Sequence, residues 1–166
     1  MGENVELLGP HIRNYRTEDA PATLAIFLAA ITETAAADYS PEQVRAWARP
    51  DRRNLTEWDL ARKARNTYVA LIVDEVVGFS DVSATGYIDM MFVSPAQARR
   101  GVARTLLMEL ERRARDTGVT RLTADVSVTA RPFFERFGFH VVAEQRPVTD
   151  GVRMTNFRMA KALPHG

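Results

Sequence analysis

Cysteine is absent from this 166-residue chain. Disulfides, thiolate metal sites and a cysteine nucleophile are thereby excluded, and the composition suits a reducing, cytoplasmic setting. Lysine is almost absent too: Lys63 and Lys161 stand alone among 22 lysines and arginines. The 21 acidic residues leave a formal net charge of +1, and no dense basic run interleaves with aromatics. A nucleic-acid partner is therefore not expected. Long hydrophobic runs are missing. The longest, Leu24 to Ile31, is far short of the roughly 20 residues a bilayer span needs. Met1 to Arg16 carries no long apolar core that would mark a targeting segment. No membrane partner is expected. Repeats, low-complexity tracts and linkers are lacking, so one domain over residues 1–166 is the expectation.

Several catalytic signatures are missing as well. There is no Gly-x-x-x-x-Gly-Lys phosphate loop and no Gly-x-Gly-x-x-Gly after a strand. His11, His140 and His165 are scattered, and none pairs with a second histidine at ligand spacing, so no metal is expected. Gly78-Phe79-Ser80-Asp81-Val82 begins like a nucleophile elbow but lacks the second glycine. A metalloenzyme, a nucleotide hydrolase and a serine hydrolase all lose ground.

What is present reads as an ordinary core with 46% hydrophobic and 26% charged residues. Ile12 to Tyr15 reads as a short strand, and Thr17-Glu18-Asp19-Ala20-Pro21 as a capped helix start. Leu24, Phe27, Leu28 and Ile31 recur at helical spacing. A second helix runs from Ser40-Pro41-Glu42 to Ala48, stopped by Pro50, and Leu55 to Lys63 suggests further helical turns. Tyr68 to Val73 and Val76 to Ser80 form a hairpin around Asp74-Glu75, and Tyr87 to Val93 is the next strand. A helix from Val102 to Arg115 follows, ended by Gly118, then a strand from Arg121 to Val126. A short helix Pro132–Arg136 and two closing strands, Phe139 to Val142 and Thr155 to Met159, complete the chain. Tyr87–Val93, Val102–Arg115 and Leu122–Val126 make a β-α-β unit with a parallel strand pair. The expected architecture is a mixed α/β sheet with helices on both faces.

The joint from Val93 to Leu107 is the most informative segment. An apolar strand ends at Pro95, a basic turn follows, and an amphipathic helix opens after Gly101. Free N–H groups and the helix dipole make such a turn a cradle for a diphosphate. Gly101 lets the backbone approach, Ala103 adds little bulk, and Arg99, Arg100 and Arg104 supply charge. A plain strand–loop–helix joint with solvated arginines fits the same residues.

Two motifs give these readings a family context. Arg99-Arg100-Gly101-Val102-Ala103 resembles the acetyl-CoA pyrophosphate loop of the GNAT-type N-acetyltransferase superfamily. Downstream, Ala130-Arg131-Pro132-Phe133-Phe134-Glu135-Arg136-Phe137-Gly138-Phe139 resembles that superfamily's short helix ending in Gly-Phe. Asn156 to Lys161 is similar to its usual last strand, so the resemblance covers nearly the whole chain. Asp38-Tyr39-Ser40 with Gln43 to Trp47 further resembles small bacterial members with generic names. The resemblance implies an α/β, GNAT-like fold: a mixed, mostly antiparallel sheet with a central parallel β-α-β unit.

It also implies a site. Tyr87–Val93 would splay from Leu122–Val126, and the pantetheine arm would pair with backbone at Met91, Phe92 and Val93. An N–H near Met91 would meet the acetyl oxygen. The diphosphate would take the N–H groups of Arg100, Gly101, Val102, Ala103 and Arg104, with Arg99 and the Thr105 hydroxyl nearby. Phe133, Phe134 and Arg136 would lie beside the CoA arm, although core packing and solvent suit the same three residues. The activity implied is direct transfer of an acetyl group from acetyl-CoA to a primary amine on a small molecule or peptide. A non-catalytic acyl-CoA-binding module is the alternative, and a homodimer is compatible with the resemblance.

Asp89 is the first choice of base, because its carboxylate interrupts an apolar strand; alternation groups it with Tyr87, Met91 and Val93. An arginine-paired acid at the strand entrance is the other reading. Asp125 interrupts the neighbouring strand in the same way, with the same two readings. Phe134 stands where many relatives carry a tyrosine that protonates the leaving thiolate, and Ser127 where many carry asparagine. Ser127 is therefore the candidate acid or pantetheine contact. Glu33, Asp38, Tyr39 and Trp47, on the first two helices, would wall the acceptor site, unless Trp47 is simply core.

Overall fold

The computed structural model describes residues 9–164; residues 1–8 of the N-terminal stretch and the terminal pair that includes His165 lie outside the described residues. In chain order the elements are β1 (His11–Asn14), α1 (Ala20–Ala29), α2 (Pro41–Ala48), α3 (Leu55–Ala64), β2 (Tyr68–Ile72), β3 (Glu75–Ser80), β4 (Tyr87–Ile88) and β5 (Met91–Val93). Then come α4 (Val102–Asp116), β6 (Arg121–Ser127), α5 (Arg131–Arg136), β7 (His140–Gln145), β8 (Val148–Thr149), β9 (Val152–Arg153) and β10 (Asn156–Ala162).

The strands form two four-stranded sheets, in the orders β1-β2-β3-β5 and β4-β6-β10-β7. All pairings within them are antiparallel except β4 with β6, which is parallel in the register Tyr87↔Thr123 and Ile88↔Ala124. The parallel pair follows from the α4 crossover, as the β-α-β pattern requires.

Local chemistry sets the helix limits. Ser40 Oγ accepts the Gln43 N–H at 3.1 Å and Gln43 Oε1 accepts the Ser40 N–H at 2.9 Å, a reciprocal cap that starts α2. Asn54 Oδ1 accepts the Glu57 N–H at 3.1 Å and starts α3. α1 does not stop at Ala29 but continues through a π turn at Ala30–Thr34 and a 3-10 turn at Ala35–Ala37. The resulting 21-residue helical stretch, Thr17–Ala37, is long and apolar enough to cross a membrane by those two measures. Its Ile26, Phe27 and Ile31 are buried in the core against the first sheet.

Helices cover both faces of the first sheet. α1 and α3 bury Phe27, Ile31 and Trp58 against Val69, Leu71 and Phe79 on one face. α4 buries Val102 and Leu106 against Ala70 and Val77 on the other. The same helix reaches across to the second sheet, where Leu107, Leu110 and Ala114 meet Ile88, Leu122, Ala124 and Met159. Its approach to β3 is close. A Cβ on Gly78 would sit 2.9 Å from Val102 Cγ1 and 3.1 Å from the Phe92 carbonyl oxygen.

The expected strand Tyr87–Val93 is two strands. It leaves the second sheet at Ile88 and joins the first at Met91. The expected alternation is corrected accordingly. Ile88 and Met91, three residues apart, pack in the same cluster as Leu107 and Leu110, whereas Met90 and Phe92 pack with Phe27 and Phe79. A break in the pleat at Asp89–Met90 shifts every later side chain by one position.

Candidate active site

The break opens a slot. β5 pairs with β3 through Phe79↔Phe92 and Ser80↔Met91. β6 pairs with β10 through Asp125↔Arg158 and Ser127↔Asn156. Among the described residues no pairing joins β5 to the later half of β6, so each strand keeps an unpaired edge there with backbone groups to offer.

Asp81, just beyond β3, holds the break. Its Oδ1 accepts the Asp89 N–H at 2.9 Å and its Oδ2 accepts the Met90 N–H at 3.2 Å. Next to it, Ser80 Oγ donates to the Met90 carbonyl at 2.7 Å. Asp81 is 1% exposed. Burial pushes its carboxyl up to about 6, against the pull of the two N–H bonds and of Arg62. In the sequence Asp81 stands out only as a member of the incomplete elbow Gly78-Phe79-Ser80-Asp81-Val82. Its sequence signal is slight: a lone acid between Ser80 and Val82 at the end of an apolar strand.

The slot's upper end meets the start of α4. The Ser94 N–H donates to Val77 at 2.8 Å and leads into a 3-10 turn at Pro95–Gln97. Gly101 then takes a left-handed conformation with φ 77° at the N-cap of α4. A Cβ there would meet nothing within 4 Å, so the space above the turn is open. Thr105 makes the first helical bond, to the Gly101 carbonyl at 3.0 Å, which leaves the N–H groups of Val102, Ala103 and Arg104 without helical partners. Arg99, Arg100 and Arg104 are exposed around them. The Thr105 hydroxyl is already committed to the Gly101 carbonyl at 2.9 Å.

The carboxylates differ in their freedom. Asp89 lies at the break with its side chain 25% exposed, and its charged neighbour is Arg65, Nε to Oδ2 at 3.8 Å. Asp125 is held by Arg158 Nε at 2.7 Å and by the Tyr87 hydroxyl at 3.0 Å. The arginine-paired reading of Asp125 is the one the structure shows. Burial and the Asp125 charge push the Tyr87 phenol up to about 12.

Ser127, at the end of β6, accepts the Ala130 N–H at 3.0 Å and keeps its own proton to donate. Opposite it on β10, Asn156 Oδ1 is buried without a hydrogen-bond partner among the described residues. Tyr39 crosses from the turn before α2. Its hydroxyl donates to the Thr155 carbonyl at 2.6 Å and accepts the Val128 N–H at 2.9 Å. Asp38 joins the Thr129 hydroxyl at 2.8 Å, and Trp47 lies edge-on to Tyr39 with ring centres 5.6 Å apart. Glu33 is exposed and Trp47 half-buried against the core.

α5 divides its phenylalanines. Phe134 is 5% exposed and packs edge-on to Phe139 at 5.0 Å, so its ring belongs to the core. Phe133 and Phe137 are half-buried and lie 4.8 Å apart, and Arg136 is exposed. A cavity of about 480 Å³ lies elsewhere, lined at the far end of α4 by Tyr15, Lys63, Tyr68, Arg113 and Thr117.

Comparison with known proteins converges on one family. An acetyltransferase (GNAT) domain model matches residues 35–161. The chain is 43% identical over 154 residues to YafP of Escherichia coli strain K12, an uncharacterized N-acetyltransferase, covering 93% of this chain and 97% of YafP. The chain is an N-acetyltransferase of the GNAT family. A crystal structure of a GCN5-related N-acetyltransferase from Rhodopseudomonas palustris, also described as a class-II aminotransferase, superposes with a TM-score of 0.89. It is 33% identical and covers 94% of this acetyltransferase and 97% of its own chain. PaiA N-acetyltransferase from Thermoplasma acidophilum, solved with coenzyme A, shares the fold at a TM-score of 0.71 and 21% identity, covering 93% of this chain and 99% of its own.

Proposed function

We propose that this acetyltransferase, as a single domain, moves the acetyl group of acetyl-CoA directly to a primary amine of a small molecule or peptide. The observation that carries the reading is the slot between β5 and β6, leading from the open turn at Gly101 down to the break at Asp89–Met90. A ligand that is anionic at one end and an amide-bearing chain along its length fits such a slot. Its diphosphate takes the N–H groups from Arg100 to Arg104, with Arg99, Arg100 and Arg104 around it. Its amides pair with the edge of Met91, Phe92 and Val93 as an added strand would. Half-buried Phe133 and exposed Arg136 flank the arm, and Phe134 supports them from the core.

The chemistry asks little of the protein beyond geometry. A lysine-like amine has a pKa of about 10.4 and attacks only when neutral. Asp89 takes its proton, directly or through water, because Arg65 approaches it only to 3.8 Å, whereas Asp125 is hydrogen-bonded by Arg158 and Tyr87 and Asp81 is buried on the backbone. The amine nitrogen bonds to the thioester carbon, and the oxygen's developing charge meets the Met91 N–H. Collapse breaks the carbon–sulfur bond and expels the CoA thiolate. A thiol pKa of about 8.5 lets it leave readily; the adduct nitrogen sheds its second proton to the Ser127 hydroxyl, which passes its own to the sulfur in place of a tyrosine and so ends as it began. No metal enters the scheme. The aromatic and acidic wall of Tyr39, Trp47, Glu33 and Asp38 suits a cationic acceptor.

The test is to incubate the protein with acetyl-CoA and a panel of primary amines, following free thiol release and thermal stability together. Stabilisation by acetyl-CoA with amine-dependent thiol release is expected. Stabilisation without release over a broad panel supports a binding module instead, and no stabilisation removes the acetyl-CoA site altogether.

A further inference from the structure

We infer that Asp81 is a positioning residue for the donor site: its carboxylate grips the two residues at which the strand changes sheets, and so sets the width of the slot. The inference rests on the reading that acetyl-CoA enters that slot.

In a regular strand successive N–H groups point to opposite sides, so no single acceptor reaches two in a row. Asp81 reaches two, those of Asp89 and Met90, because the pleat is broken between the sheets. Only a carboxylate presents two acceptor oxygens in this way; an asparagine would turn one of them into a donor facing a donor. Ser80 holds the Met90 carbonyl at the same time, so both backbone polar groups of Met90 are fixed. The next residue is Met91, the first of β5 and the start of the slot's edge. Loosening Asp81 therefore moves the edge on which the pantetheine amides and the acetyl oxygen rest.

Keeping this acid ionised in the interior is costly, and the structure tolerates the cost. The charged groups that face Asp81 are Arg62 of α3, itself buried with its pKa lowered by burial, and Asp89 at the break. Protonation of Asp81 converts one acceptor into a donor, just as asparagine does. With a carboxyl pushed up to about 6, that change falls between pH 7.5 and pH 5. Acetyl-CoA binding then weakens as pH falls through this window.

The test measures the Kd for acetyl-CoA from pH 5 to 8 for the wild type and Asp81→Asn. The cofactor carries a phosphate that also titrates near pH 6, so the comparison between the proteins is the readout. The wild type should lose about tenfold more affinity than the variant across the window, and at pH 7.5 the variant should already bind about tenfold more weakly. Equal slopes with equal affinities at pH 7.5 overturn the inference. Absence of any binding by the wild type at pH 8 overturns the acetyl-CoA reading itself, which is a separate failure. If Asp81→Asn does not fold, amide protection at Asp89 and Met90 in the wild type decides. Corrected for intrinsic exchange, it should fall between pH 7.5 and pH 5, and constant protection rejects the grip.

Discussion

Asp81 accepts the backbone N–H of Asp89 at 2.9 Å, so one aspartate holds the main chain of the other. The first is 1% exposed and the second presents a quarter of its side chain to solvent. Of two acids eight positions apart, one is buried on the backbone and the other, the proposed base, reaches solvent.

The buried acid has a thermodynamic signature. The Asp81 carboxyl is raised from 3.8 to about 6, chiefly by burial. The folded state then holds this proton more tightly than the unfolded chain does. Stability from Asp81 is fully present below about pH 3.8 and is lost as pH rises through about 6, a loss of about 3 kcal/mol. Asp19 acts in another window. Burial pushes it up, but the two bonds from Arg13 and one from the Arg16 N–H outweigh that and hold it low, so its stabilisation is lost only on acidification below the normal aspartate range. Urea unfolding of wild type and Asp81→Asn at pH 4.5, 6 and 7.5 separates the two effects. The variant should gain on the wild type by about 2 kcal/mol between pH 4.5 and 7.5. A constant difference between them would reject the buried titration.

Gly78 lets β3 and α4 approach closely. Alanine there would press on Val102 at 2.9 Å and on the Phe92 backbone at 3.1 Å. Valine side chains yield little, and a strand carbonyl yields less. Gly78→Ala should cost about 1–3 kcal/mol of unfolding free energy and raise the KM for acetyl-CoA, because β5, one wall of the slot, and the start of α4 shift. Unchanged stability in denaturant titration would show that α4 can retreat freely.

Gly101 separates backbone strain from crowding. Its φ of 77° disfavours a side chain, while the space beyond its hydrogen is open. Gly101→Ala should therefore cost only about 1–2 kcal/mol of stability. It should raise the KM for acetyl-CoA by about tenfold with a small change in kcat, since the new methyl stands where a diphosphate would lie. Steady-state kinetics at saturating amine check this, and an unaltered KM would place the diphosphate elsewhere.

These residues also show what was legible. α4 is visible from Leu106, Leu110 and Ala114 on one face, and it runs from Val102 to Asp116 against an expected end at Arg115. The parallel pair follows from the crossover, and the turn at Gly101 from glycine and its basic neighbours. The break at Asp89–Met90 is invisible to alternation, because a carboxylate eight residues upstream enforces it. The hairpin of β8 and β9 has two residues per strand, too few for any period to register. It matters all the same: the Gln43 side chain donates to the Arg153 carbonyl at 3.0 Å and ties α2 to it.

Tyr39 is a second tie between the N-terminal helices and the slot. Its hydroxyl serves the Val128 N–H and the Thr155 carbonyl, and burial pushes its pKa up. Tyr39→Phe keeps the ring against Trp47 and removes both bonds. The expected cost is about 1–3 kcal/mol, the penalty for two backbone groups left unpaired. Thermal unfolding measures it. Loss of the tie should also raise the KM for the amine more than the KM for acetyl-CoA if α1 and α2 wall the acceptor site as proposed.

Asp89→Asn tests the chemistry directly. Asparagine preserves size and leaves the backbone bond to Asp81 in place, since that bond uses the Asp89 N–H and not its side chain. Folding and acetyl-CoA affinity should therefore be unchanged. At neutral pH, kcat should fall by about a hundredfold, the usual worth of a positioned base. The loss should shrink as pH rises toward the amine's own pKa of about 10.4, where neutral acceptor becomes plentiful without help. Rates with acetyl-CoA saturating, measured from pH 6 to 10, give the comparison. If wild type and variant keep a constant ratio across that range, Asp89 does not take the proton. Its contact with Arg65 would then be its role.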